Sequence, residues 1–165
     1  MSPALRVYEK VGLQKTRLLN CFLSDGQPLK KKKGSLPIQL SLQKEPDWKT
    51  YQSFSETLPS WQNQTACLNR DFLNLKLVEA YHKTKTIGYV IFHADLARID
   101  QIGVHPDYRK QGVGRNLVRA VQEMSFQKPI NVLNIDDESS LGVFFKQLGF
   151  SIRFQQWEMM KELEV

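Results

Sequence analysis

Long apolar runs are missing from this chain of 165 residues. Nowhere do about 18 consecutive apolar residues occur, the length a membrane-spanning helix needs. Charged residues interrupt the first apolar positions, so no signal core forms there, and a cytoplasmic location is the expectation. Cysteine is scarce: Cys21 and Cys67 stand far apart and make no Cys-x-x-Cys pair, which argues against a zinc knuckle and a disulfide framework. His82, His93 and His105 show no ligand spacing, so no metal site is expected. The glycines form neither a Gly-Lys-Ser/Thr nucleotide loop nor a dinucleotide triplet. A net charge of +6 points toward nucleic acid, but much of the excess lies in Lys30 to Lys33, a run read as solvated linker. No zinc-finger spacing or RNP-like aromatic pattern accompanies it, so nucleic acid is not the expected partner.

An apolar share of 41% is enough for one real core. Leu36, Ile38 and Leu40 alternate with polar neighbours and predict a strand over Ser35 to Ser41. Trp48, Tyr51, Phe54 and Leu58 follow at helical spacing until Pro59, and a second short helix is expected around Ala66 to Leu68. Leu73 to Tyr81, Ile87 to His93 and Leu96 to Val104 read as an antiparallel meander. From Gly112 the period turns helical through Val113, Leu117, Val118, Val121 and Met124, and Ile130 to Ile135 is again a strand. A strand, helix, strand series implies a parallel pair joined by a crossover helix. Leu141, Phe144, Phe145 and Leu148 form a last helical stripe closed by Gly149, before a strand from Phe150 to Met160.

The N-terminal segment echoes that ending. Ser2 to Leu13 repeats the pattern of Ser139 to Phe150 at an offset of 137 positions, Gly12 with Gly149. The expected division is therefore a helix and strand appendage at 1–30, read as the tail of an upstream copy, before a domain at 35–165. The apolar stripe of Ala4, Val7, Tyr8 and Val11 is expected to be covered, either by the main sheet or by a second chain in a homodimer.

Chemistry concentrates after Val104. His105-Pro106 forces a turn, and the loop Tyr108-Arg-Lys-Gln-Gly112-Val-Gly114 opens a helix. Amides at a helix start have no partners within the helix and carry the positive end of its dipole, so they suit a phosphate. Gly112 and Gly114 lack Cβ and let an anion approach, while Arg109 either adds charge or holds the loop.

Arg109-x-x-Gly112-x-Gly114 after a strand resembles the acetyl-CoA signature of the GNAT (GCN5-related) N-acetyltransferase family. The resemblance runs from Leu36 to Leu163 and is firmest from Glu79 to Phe150. It implies an α/β GNAT fold: a mixed, mostly antiparallel sheet with a central splayed parallel pair, flanked by helices. It also implies that backbone groups around Ile102 and Val104 pair with the pantetheine arm of acetyl-CoA. The amides of Gln111, Gly112, Val113 and Gly114 would hold its pyrophosphate. The activity implied is acetyl transfer to an amine, on a small molecule or a peptide; a non-catalytic acyl-CoA-binding module of a tandem protein is the rival.

A lysine-like amine must be deprotonated at a cost of roughly 4 to 5 kcal/mol at pH 7, against about 1 kcal/mol for an α-amino group. In the histone-acetylating branch a glutamate serves as base, but Arg98 holds that position here, and arginine cannot accept a proton. Asp100, two residues on, and Glu79, expected as its neighbour across the meander, are the remaining candidates. The family's tyrosine acid is replaced by Phe145, leaving Tyr81, Tyr89, Tyr108 or no donor at all. Trp61 and Asn63 fall where the family builds its acceptor wall, with Trp61 equally readable as a core residue.

Overall fold

Alternating and helical apolar spacings become twelve regular elements in a computed structural model, which describes residues 3–30 and 36–162. Lys31 to Lys33 of the basic run lie outside the described residues, as do Ser2, Ser35 and Leu163. The order is α1 (Pro3–Lys10), β1 (Gln14–Leu23), β2 (Gln39–Gln43), α2 (Trp48–Gln52), α3 (Thr65–Asp71), β3 (Lys76–His82), β4 (Lys85–His93), β5 (Arg98–Val104), α4 (Val113–Met124), β6 (Asn131–Asp136), α5 (Ser140–Gln147) and β7 (Ser151–Met160).

Seven strands form one sheet in the order β2-β3-β4-β5-β6-β1-β7. β5 and β6 run parallel and every other pair is antiparallel, with α4 as the crossover. Successive residues of a strand face opposite sides. Val90 and Phe92 of β4 therefore join the core under α4, beside Leu117 and Val121, while Tyr89 and Ile91 pack with Tyr51, Phe54 and Leu68 on the other face. Full burial of a side chain such as Leu117 contributes about 2 kcal/mol, so the α4 stripe alone accounts for its docking.

Several boundaries differ from the sequence expectation. β2 starts at Gln39, and Leu40 and Leu42 are exposed, whereas Leu36 and Ile38 pack on the core ahead of the strand. Leu73 sits in a 3-10 turn, fully exposed, and β3 begins only at Lys76. The helical stripe from Trp48 ends at Gln52, so Leu58 is exposed. The physical cause lies elsewhere in the chain. Arg109 Nη2 donates to the Phe54 carbonyl at 2.9 Å, and Arg17 donates to the Leu58 and Pro59 carbonyls at 2.6 and 3.2 Å. These carbonyls are thereby held by other elements instead of by helix amides.

The N-terminal strand is not peripheral. β1 lies inside the sheet between β6 and β7, and Leu19, Cys21 and Phe22 are buried. α1 behaves differently: none of its residues is buried, and Val7, Tyr8 and Val11 stand exposed, so of the two expected covers the main sheet is not the one.

Candidate active site

β5 and β6 are paired only at their first residues, Arg98 with Asn131 and Ile99 with Val132, and then diverge. Two local features accompany the divergence. The β4–β5 register shifts between Ile91 and Phe92, which leaves Asp100 as the extra residue on β5. On β6, Asn134 takes φ +62°, a left-handed conformation that asparagine tolerates better than β-branched residues. Beyond that point the β5 edge from Gln101 to Val104 lines a cleft of about 800 Å³.

The start of α4 closes one end of this cleft. Gly112 has φ +87°, makes no side-chain cap, and a Cβ there would meet nothing within 4 Å. Its carbonyl accepts from Asn116 N–H at 3.0 Å, so the amides of Val113, Gly114 and Arg115 precede the first bonded turn. Gln111 turns its side chain back to the Asp107 carbonyl, 3.0 Å, and Val113 is buried in the core. Gly114 has another reason to be glycine: a Cβ would lie 2.9 Å from the Phe144 ring of α5. Gly114 thus serves the packing of α4 on α5 as well as lining the cleft, and Gly112 has open space around it. Arg109 holds the loop: Nε bonds the Val104 carbonyl at 3.1 Å, Nη2 bonds the Phe54 carbonyl, and Nη1 pairs with Glu56. Glu56 in turn accepts from Ser140 Oγ at 2.6 Å.

Asp100 lines the cleft and is 8% exposed. Its Oδ1 receives Arg98 Nε and Nη2 at 2.9 Å each, and among the described residues Oδ2 has no partner. Burial raises its pKa above the ordinary aspartate value, with the Arg98 charge opposing. Glu79 is not its neighbour: the register sets Glu79 opposite Tyr89, and its carboxylate accepts from Tyr51 Oη at 2.5 Å and from Tyr81 Oη. It does not line the cleft. Of the three tyrosines considered as donors only Tyr89 does. Burial pushes its phenol up to about 12, and it donates to Gln101 Oε1 at 3.0 Å. Phe145 is enclosed by Phe22, Phe144 and Phe150, away from the cleft.

Asn63 and Trp61 part company. Asn63 lines the cleft, bonds the Leu133 carbonyl at 3.1 Å and accepts Gln101 Nε2 on its own carbonyl at 2.5 Å; Trp61 is exposed and outside it. Two residues not singled out from sequence also shape the site. Asn134 donates to Gln62 Oε1 at 2.5 Å and accepts from Gln156 Nε2. Arg17 joins Glu158 at 2.6 Å and Asp136 at 3.3 Å to the 58–59 wall. The signal for Asn134 was an asparagine inside an apolar strand; Arg17 offered no local signal.

The splayed parallel pair and the glycine-opened helix fall within residues 45–157, which match the family model of the acetyltransferase (GNAT) domain. The chain belongs to the GNAT family. Members generally use acetyl-CoA, and membership supports an acetyltransferase-type activity. No curated protein matches the chain significantly. Among solved structures, a functionally unknown conserved protein from Staphylococcus epidermidis shares 16% identity at a TM-score of 0.71, covering 98% of this GNAT chain and 68% of its own. A tandem GNAT protein from the clavulanic acid biosynthesis pathway shares 16% at 0.64, covering 96% and 58%. A GCN5-related N-acetyltransferase from Sphaerobacter thermophilus shares 18% at 0.57, covering 93% and 54%. At such identities the likeness is one of fold, and the GNAT chain spans little more than half the length of the last two. Among the described residues no helix is long and apolar enough to cross a membrane.

Proposed function

We propose that this chain is an acetyl-CoA-dependent N-acetyltransferase that acts in the cytoplasm by direct transfer to an amine on a small molecule or peptide. The observation carrying this reading is the uncapped start of α4, opening at Gly112 onto the unpaired edge of β5. The residues present fit the cosubstrate. Gly112 leaves room where a side chain would intrude, and the amides of Val113 and Gly114 would hold a pyrophosphate. The β5 edge at Ile102 and Val104, where the Val104 carbonyl already accepts from Arg109 Nε, would hold an extended amide arm as an added strand. Bound there, acetyl-CoA supplies an acetyl group activated as a thioester.

Asp100 takes the proton of an ammonium acceptor through its free Oδ2, directly or through water; its raised pKa makes it a better base than an ordinary aspartate. Tyr89 retains its proton and positions Gln101. Asn63, Gln101 and Asn134 present a polar wall to the acceptor. The rival, a non-catalytic acyl-CoA-binding module, is favoured by one observation, the burial of Phe145 where relatives keep a donor.

Calorimetry with acetyl-CoA, followed by coenzyme A release against an amine library, tests both. Wild type should bind, and Gly112→Asp should lose at least about tenfold in affinity, since it puts a carboxylate where an anion belongs. Equal affinities would refute the pyrophosphate assignment. Binding without release on any amine would establish the module instead.

A further inference from the structure

The unit α1, Gly12, β1 is repeated in backbone detail by α5, Gly149, β7. Val11 N–H to Val7 O, Gly12 to Glu9 and Leu13 to Tyr8 recur as Leu148 to Phe144, Gly149 to Lys146 and Phe150 to Phe145. Gly12 and Gly149 have φ of +87° and +90°, and both strands have 10 residues. The two strands pair with each other about a local two-fold axis. Gln14 lies opposite Met160 and Leu23 opposite Ser151; Arg17 lies opposite Glu158 and Cys21 opposite Phe154. At the centre Leu19 faces Gln156, its own counterpart in the echo. Even the residues skipped at the two register shifts, Thr16 and Arg153, are counterparts. Such self-complementary pairing is what an isologous joint between two like bodies requires.

The halves of this joint are not equally occupied. β1 has β6 on its far side, whereas β7 ends the sheet among the described residues. Phe145 of α5 is 0% exposed, but its counterpart Tyr8 is 49% exposed, and Val7 and Val11 are 59% and 56% exposed. Phe154 and Trp157 on β7 are also half exposed. Apolar residues gathered on an unpaired edge and an undocked helix mark an interface.

We propose that α1 and the free edge of β7 dock a second GNAT-type body joined to the N-terminal side of α1, for which α1 and β1 serve as last helix and strand. A strand of that body equivalent to β6 lies along β7, so one sheet runs through both bodies. The two-fold carries the β1–β6 pairs at Leu19 and Leu23 onto Gln156 and Met160. A second copy of this chain does not fit the place. Its β6 is already covered by its own β1, and the seat that α1 needs is filled by its own α5. The inference needs the fold but not acetyl transfer, and fails separately from it.

The test fuses a second copy of residues 36–138 directly before Ser2 of the full chain, since Ser2 is the counterpart of Ser139. Hydrogen exchange is then compared with the chain alone. In the chain alone α1 and Gln156 to Met160 should exchange fast and the protein should be monomeric. In the fusion both segments should slow by roughly tenfold or more while β1 is unchanged. Val7→Asp with Tyr8→Asp should abolish that slowing in the fusion and leave the melting temperature of the chain alone unchanged. Unchanged exchange in the fusion, whether or not the added copy folds, overturns the proposal. So does a chain that alone forms a dimer protecting α1 and β7, because a second copy is then the occupant.

Discussion

Asp100 is held between opposing influences: burial favours its neutral form, while Arg98 and, more weakly, His93 favour the carboxylate, with Asp71 acting against it. If it relays the acceptor's proton, Asp100→Asn should lower turnover at pH 7 by about 10² to 10⁴ and leave acetyl-CoA affinity intact. The loss should shrink as pH approaches the amine's own pKa, where no relay is needed. In wild type the acid limb of the activity profile should lie above the ordinary aspartate range, and it should vanish in the variant. Unchanged turnover in Asn would leave water as the base, because Glu79 is occupied by two tyrosine hydroxyls. The same group has a stability signature. With a folded pKa above the unfolded one, the native state binds the extra proton between the two values, so stability falls as pH rises through that window. Melting curves across acidic pH should show this slope flattened in Asp100→Asn.

At the scale of elements, the two glycines of the α4 loop should respond oppositely to their roles. Gly114→Ala gains about 1 kcal/mol in helix propensity, but its Cβ at 2.9 Å from the Phe144 ring costs about 1 to 3 kcal/mol in overpacking. Overpacking wins because Phe144 is wedged between α5 and α4 and partly buried, so a net loss near 1 kcal/mol is expected. Denaturant unfolding with an unchanged slope checks it; a stabilised Gly114→Ala protein would show that α4 and α5 are not in the close contact described.

Over the whole molecule, Arg17 links strands distant in sequence to the wall of the cleft. It lowers the pKa of Glu158 by hydrogen bonding and is itself raised by the same partner. Glu158 therefore contributes stability that is present above its unfolded value and is lost as pH falls through the lowered one. Arg17→Ala should destabilise the fold by about 2 kcal/mol, a typical cost for charge-assisted bonds, and remove that acid dependence. It should also raise KM for the amine, with acetyl-CoA affinity nearly unchanged, because segment 58–59 loses its anchor. Thermal melts and steady-state kinetics on the same variant read both effects.

The residue pattern by itself determined most of the helices and strands, the crossover around α4 and the glycine-opened start of that helix at Gly112, because period, turn chemistry and helix starts are local properties. It showed that α1 carries an apolar stripe. It did not show what covers that stripe, since periodicity marks a face and not the element that packs on it. Only the tertiary structure set β1 between β6 and β7, gave Gly114 its neighbour in Phe144, and separated Glu79 from Asp100. Strand order and register decided the last of these: β4 lies between β3 and β5, Glu79 stands opposite Tyr89 and Tyr89 opposite Gly103, and such pairings depend on partners far away in the chain.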